Sequence, residues 1–159
     1  ANNWTDVNRA LVGLSGASGE TELLRTAGEL ATGVSADLVV LSMIDEDAVD
    51  EDEQTLERVA ELEHTSYDAD VAGIGQADKF GRDAAAEALS GMELDYEVVP
   101  IVVDPDEKAD SILSAANDYD CDHIFLTGRQ RSPTGKAIFG DVTQKVILNF
   151  DDDVTVTTR

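Results

Sequence analysis

The sequence predicts a doubly wound α/β domain built on a five-stranded parallel sheet. Apolar runs of strand length alternate with segments whose apolar residues recur at helical spacing, as they do when helices connect the strands of one sheet. The segment 38–44 is apolar on both faces except at Ser42, which is typical of a parallel strand covered by helices on each side. Right-handed crossovers then place helices on both faces of the sheet.

The predicted elements follow one another without an internal repeat or a linker. The predicted strands are 9–14, 38–44, 95–103, 122–127 and 154–158. Apolar residues at helical spacing mark helices within 23–34, 53–66, 80–89, 109–116 and 142–147, with a break at 73–75 before the third of them. Pro100 lies inside the third strand and cannot donate a ladder hydrogen bond, so this strand is expected at an edge of the sheet.

The chain is strongly acidic, with 34 acidic and 11 basic residues and a net charge of −23. Such a surface repels nucleic acids and anionic membranes, which argues against both as partners. Aspartate predominates and lysine is nearly excluded, which favours a protein of a halophilic archaeon, where salt shortens the Debye length to about 3 Å. The acidic run 45–53 lacks the spacing of a calcium-binding loop and is interpreted as solvated.

The remaining composition predicts a cytoplasmic protein without an evident catalytic group. No run of about 18 apolar residues is present, and residues 1–7 lack the pattern of a signal peptide. The single cysteine, Cys121, excludes an internal disulfide and is expected in the core. His64 and His123 have no nucleophile nearby in the pattern, so both are interpreted as structural.

The loop 128–140 is the candidate ligand site. It follows a predicted strand and opens a helix, where backbone N–H groups and the helix dipole favour an anion. Between Arg129 and Lys145 there are four basic residues and one acidic residue, the reverse of the balance elsewhere. An anionic ligand such as a nucleotide phosphate explains this patch, and so does an ion-paired surface that fixes the loop. The loop is not a P-loop, because six residues separate Gly128 from Gly135 where that motif has four.

The chain resembles the universal stress protein family. The family signature is Gly-x2-Gly-x9-Gly-Ser/Thr-Val between a strand and a helix, and Gly128, Gly140 and Val142 match it. The resemblance covers nearly the whole chain and implies one domain over 1–159 with the adenine-nucleotide alpha-hydrolase-like, Rossmann-like fold. In the family's ATP-binding members this loop holds the phosphates and the ribose.

The loop also departs from that signature. Arg131 stands where the second glycine is expected, the stretch to Gly140 is one residue short, and Asp141 replaces the hydroxyl residue. A carboxylate at that position repels phosphate and is expected to cap the helix instead. Ser15 holds the place of an aspartate that faces ribose, and Met43 matches the position whose backbone contacts adenine.

The resemblance therefore implies a site for ATP or another adenine nucleotide, with Mg²⁺. The residues themselves show no catalytic constellation and no metal-ligand motif. The residues expected at that site are Ser15, Met43, Thr127, Gly128, Arg129, Arg131, Lys136, Gly140, Asp141, Val142 and Thr143.

Two functions remain open at this point, and a third, weak ATP hydrolysis, lacks a visible catalytic base. The first is a stress-response protein that binds a nucleotide, which the basic loop favours. The second is a dimeric regulatory module that has lost nucleotide binding, which the departures at Ser15, Arg131 and Asp141 favour. In either case the uncharged segment 154–158 is expected at a sheet edge, where it would pair with a second copy to form a homodimer.

The charge predicts a steep dependence of folding on salt. Because the excess carboxylates repel one another when screening is weak, the melting temperature should fall as KCl is diluted from molar concentration to about 0.1 M. Circular dichroism melts across that range measure the effect. Equal midpoints at both ends would rule out the halophilic interpretation.

Overall fold

The computed structural model describes residues 7–47, 69–131 and 137–158. The helix predicted over 53–66, His64 and Lys136 lie outside these residues. The strands of the main sheet are β1 (Arg9–Leu14), β2 (Asp37–Asp45), β3 (Tyr96–Val103), β4 (His123–Thr127) and β7 (Asp153–Thr157). The helices are α1 (Glu20–Val34), α2 (Ala69–Ala88), α3 (Lys108–Asp118) and α4 (Asp141–Asn149). Two short strands, β5 (Arg129–Arg131) and β6 (Ala137–Phe139), pair antiparallel within the candidate loop.

The main sheet confirms the predicted fold class. Its five strands are all parallel, in the order β3-β2-β1-β4-β7. β1 lies at the centre, where Ala10 is in register with Leu38 of β2 on one side and with His123 of β4 on the other. The edge position predicted from Pro100 is correct, because no strand in the described part of the chain pairs with the outer side of β3.

The helices form one layer on each face of the sheet. α1 and α2 pack on one face, over a core that includes Leu24, Val40 and Phe125. α3 and α4 pack on the other face, over a core that includes Ile112 and Val146. The chain therefore crosses to opposite faces after β1 and after β4. No helix in the described parts of the chain is long and apolar enough to span a membrane.

The predicted break at 73–75 is wrong, because α2 runs through it without interruption. This helix packs so closely on β2 and β3 that position 81 has no room for a side chain. A Cβ at Gly81 would lie 2.6 Å from Val98 Cγ1 and 2.8 Å from Ser42 Cβ. The Ser42 hydroxyl donates a 2.6 Å hydrogen bond to the Ala77 carbonyl oxygen of α2. This bond explains why the buried, otherwise apolar part of β2, residues 38–43, tolerates a serine.

Candidate functional site

A cavity of about 660 Å³ opens at the carboxyl ends of β1 and β4. The two strands are neighbours, but the helices that follow them lie on opposite faces of the sheet. The connecting loops therefore diverge and leave a cleft, which is where open α/β sheets bind ligands. A volume of this size lies within the range of about 300–1,000 Å³ that small-molecule sites occupy.

Eight of the predicted site residues line this cavity together. They are Ser15, Met43, Thr127, Gly128, Gly140, Asp141, Val142 and Thr143. Of the other three, Arg129 is the first residue of β5 and Arg131 is the last, and the structure does not describe their side chains. Lys136 lies outside the described residues. Met43 also belongs to the core, since only 4% of its surface is exposed. The two interpretations of Met43, as a ligand contact and as a core residue, are therefore compatible.

The loop after β1 is organised by a carboxylate that the sequence interpretation missed. Glu20, the first residue of α1, folds back so that its Oε1 accepts from the Gly16 N–H at 2.7 Å and the Ser15 N–H at 2.9 Å. Its Oε2 accepts from the Ser15 N–H at 2.8 Å and the Ser15 hydroxyl at 3.1 Å. Gly16 has a φ of 88°, a left-handed conformation that favours glycine and turns its N–H toward this carboxylate.

Glu20 is a buried acid, with 6% of its surface exposed, and it lines the cavity. Burial raises the pKa of the Glu20 carboxyl, and the hydrogen bonds from Ser15 and Gly16 oppose that rise because they stabilise the charged form. The N–H groups at the end of β1 thus already hold an anion that belongs to the protein. A sequence signal for it exists: Glu20 directly follows the Gly-rich turn 16–19, where a first-turn acid is common.

The loop after β4 closes tightly on α4. A Cβ at Gly128 would lie 2.8 Å from Thr143 Cγ2, so glycine is required for this approach. The Gly140 N–H donates to the Gly128 carbonyl oxygen at 3.2 Å, and the Thr143 hydroxyl donates to the Thr127 carbonyl oxygen at 3.4 Å. These contacts bring the first turn of α4 against the end of β4, at the wall of the cavity.

The prediction that Asp141 caps this helix is wrong. Gly140 occupies the capping position and has no side chain to accept from the helix N–H groups. Asp141 is instead the first helical residue, an exposed acid in the first turn. Its charge still interacts favourably with the helix dipole, but it lies beside the N–H groups that an anionic ligand would use.

Two lysines that the sequence interpretation did not assign also line the cavity. Lys108 begins α3 and lies 3.3 Å from a carboxylate oxygen of Asp45, at the end of β2. Lys145 of α4 lies 3.0 Å from a carboxylate oxygen of Asp110 in α3. The signal that could have found them is scarcity, because the chain has only four lysines and two of them line one cavity.

Cys121 and His123 take structural positions, and His64 lies outside the described residues. Cys121 is buried in the core as predicted, and burial raises the pKa of its thiol to about 12. His123 stacks on Phe125 and its Nε2 lies 2.7 Å from the Thr155 hydroxyl, at the opposite end of β4 from the cavity. Burial lowers the pKa of His123. Across the described residues, no group of three or more His, Cys, Asp or Glu side chains is placed to hold a metal ion.

Comparison with known families decides the classification. The family model of the universal stress protein family matches residues 7–158. The chain belongs to the universal stress protein family. A search of the curated proteins gave no match.

Solved structures of universal stress proteins share this fold. One, from Archaeoglobus fulgidus, is 25% identical, with a TM-score of 0.55 over 94% of this chain and 97% of that one. A universal stress protein in complex with cAMP is 18% identical, with a TM-score of 0.59 over 97% of this chain and 98% of that one. A universal stress protein from Archaeoglobus fulgidus in complex with dAMP is 20% identical, with a TM-score of 0.50 over 94% and 96%.

The hydrogen bonds of Glu20 predict that this universal stress protein depends on its carboxylate for stability. Glu20→Ala leaves the Ser15 and Gly16 N–H groups without their acceptor, so the free energy of unfolding should fall by about 1–3 kcal/mol. Urea denaturation in molar KCl measures the change. Glu22→Ala is the matched control, because Glu22 is an exposed acid in the same first turn, and its effect should stay within about 0.5 kcal/mol. Equal losses for both variants would contradict the role assigned to Glu20.

Proposed function

We propose that this protein is a stress-response protein that binds an adenine nucleotide in the cavity between the loops after β1 and β4, as a ligand-binding protein and not as an enzyme. The observation that carries the proposal is the convergence of eight predicted site residues on one cavity of suitable size at the point where the strand order reverses. Family membership supports it, as do the cAMP and dAMP complexes of two proteins with the same fold.

In this proposal the phosphate end of the ligand lies against the first turn of α4. Its backbone N–H groups point toward the cavity end of the sheet, and the helix dipole favours an anion there. β5 begins one residue after Gly128, so Arg129 and Arg131 are close along the chain to the same region. ATP with Mg²⁺, which the sequence led us to expect, is one member of this ligand class. A cytoplasmic location and a halophilic source stay predictions.

Ligand binding should raise the melting temperature, because a nucleotide that binds only the native state stabilises it. AMP, cAMP and ATP at millimolar concentration, each in molar KCl, are the ligands to test by calorimetric melting and titration. Arg131→Ala should reduce the shift by removing a cation from the loop. Arg25→Ala is the control, since Arg25 pairs with Glu29 on the exposed face of α1, and it should keep the full shift. The absence of any shift or binding heat with all three nucleotides would favour the regulatory module without a nucleotide.

We also propose that the protein forms a homodimer through β7, a proposal that does not depend on the ligand. β7 ends the sheet, and among the described residues no strand pairs with its outer side. The Asp153 N–H and the Thr157 carbonyl both bond toward β4. Since successive residues of a strand direct these groups to opposite sides, the N–H and C=O groups of Val154 and Val156 face the open edge. Two copies related by a two-fold axis could pair antiparallel along it.

The direction of these groups makes proline a selective probe of the dimer. Val156→Pro removes a donor from the open edge only, so it should give a folded monomer, measured by light scattering in molar KCl. Thr155→Pro removes a donor directed at β4 and should instead lower the melting temperature. A monomeric wild-type protein, or a dimer that survives Val156→Pro, would contradict the proposed pairing.

A further inference from the structure

The charges around the cavity affect which adenine nucleotide would bind there. This inference rests on the proposed function. We infer that the cavity selects a nucleotide with a single phosphate over ATP. The inference comes from the hydrogen-bond donors that the described wall residues leave for phosphate and from the charges of those same residues.

The donors at the end of β1 are already used. The Ser15 and Gly16 N–H groups and the Ser15 hydroxyl all donate to the Glu20 carboxylate, at 2.7–3.1 Å. A phosphate at this wall could not bind the Ser15 and Gly16 N–H groups without displacing Glu20, and it would face a buried negative charge. This wall therefore suits an uncharged part of the ligand that carries hydroxyl groups, because the Ser15 oxygen can still accept a hydrogen bond.

Among the described residues of the opposite wall, two of the possible donors are already used. The Thr143 hydroxyl donates its hydrogen bond to the Thr127 carbonyl oxygen, and the Gly140 N–H donates to the Gly128 carbonyl oxygen. The remaining N–H groups of the first turn of α4 and the helix dipole favour an anion at this wall. Asp141 lies in that same turn, so each further phosphate adds repulsion.

The two lysines of the cavity do not cancel the negative charge beside the phosphate position. Lys108 is paired with Asp45 and Lys145 with Asp110, so each ammonium group already has a carboxylate partner. Three carboxylates, those of Glu20, Asp106 and Asp141, line the cavity beside them. Salt weakens the effect of the exposed charges, but a carboxylate as buried as Glu20 is screened much less, so the selectivity should persist in molar KCl.

The test compares the dissociation constants of AMP and ATP, the latter with and without Mg²⁺, by isothermal titration calorimetry in molar KCl. AMP should bind about tenfold or more tightly than ATP, a ratio that one unfavourable charge contact accounts for. Asp141→Ser and Glu20→Gln should each narrow this ratio by improving ATP binding. Asp118→Ser is the matched control, because Asp118 is an exposed acid at the end of α3 away from the cavity, and the ratio should not change.

The outcomes separate this inference from the proposed function. If neither nucleotide binds, the proposed function fails and the inference fails with it. If both bind and ATP is as tight as AMP or tighter, as phosphate contacts from Arg129, Arg131 and Lys136 would give, only the inference is overturned. If Glu20→Gln weakens both ligands equally, Glu20 only positions the loop, and its part in the selectivity is overturned. Asp141→Ser, whose residue is exposed and makes no cap, tests the remaining part in a protein that should keep its fold.

Discussion

The structure depends on the pairing of β1 with two parallel neighbours at once. β2 and β4 are aligned with it in register, and the chain leaves β1 and β4 toward opposite faces of the sheet. That divergence separates α1 from α3 and α4, and the cavity is the space that results. Without it, Ser15 and Asp141 would be distant both in the chain and in space. The site is therefore a consequence of strand order before it is a matter of side-chain chemistry.

A carboxylate lies at the end of β1 although the residue there is a serine. In the family that the chain belongs to, the corresponding position is expected to hold an aspartate, and here it holds Ser15. The charge comes instead from Glu20 across a tight turn, and it is fixed by the backbone of the loop. A carboxylate acceptor thus lies near the place where the aspartate is expected, but its oxygens already accept hydrogen bonds from the protein backbone. Any ligand at this wall therefore meets the Ser15 hydroxyl together with a negative field.

The basic residues of the described surface are largely matched with acidic neighbours. Along α2, Lys79 pairs with Asp83 at 3.2 Å and Arg82 with Asp78 at 2.9 Å, one helical turn apart. Pairs of this exposure add little to stability, and salt weakens them further. The large acidic excess therefore stays solvated, and the folded state depends on the two cores on either side of the sheet for its cohesion.

Particular residues show which structural features could be predicted from the sequence. Pro100 predicted an edge strand because a missing N–H is a local property, and Ser42 marked the polar residue within the buried part of β2, where its hydroxyl bonds to α2. The predicted helix break at 73–75 was wrong, because the packing of α2 on the sheet outweighs the low helix propensity of the glycines there. Leu30 and Val34 of α1 share the helical spacing of the core, yet they are 52% and 56% exposed, because the sheet covers only part of that face.

The sequence by itself determined the alternation of strands and helices, the family signature and eight of the residues that line the cavity. These follow from periodicity and from residue types at fixed spacing, which are properties of neighbouring positions. Tertiary structure alone decided that Glu20 occupies the N–H groups of Ser15 and Gly16, and that Lys108 and Lys145 reach one cavity with Asp45 and Asp110 as partners. Such contacts depend on the angle of a turn and on which helices share a face, and no short stretch of sequence contains that information.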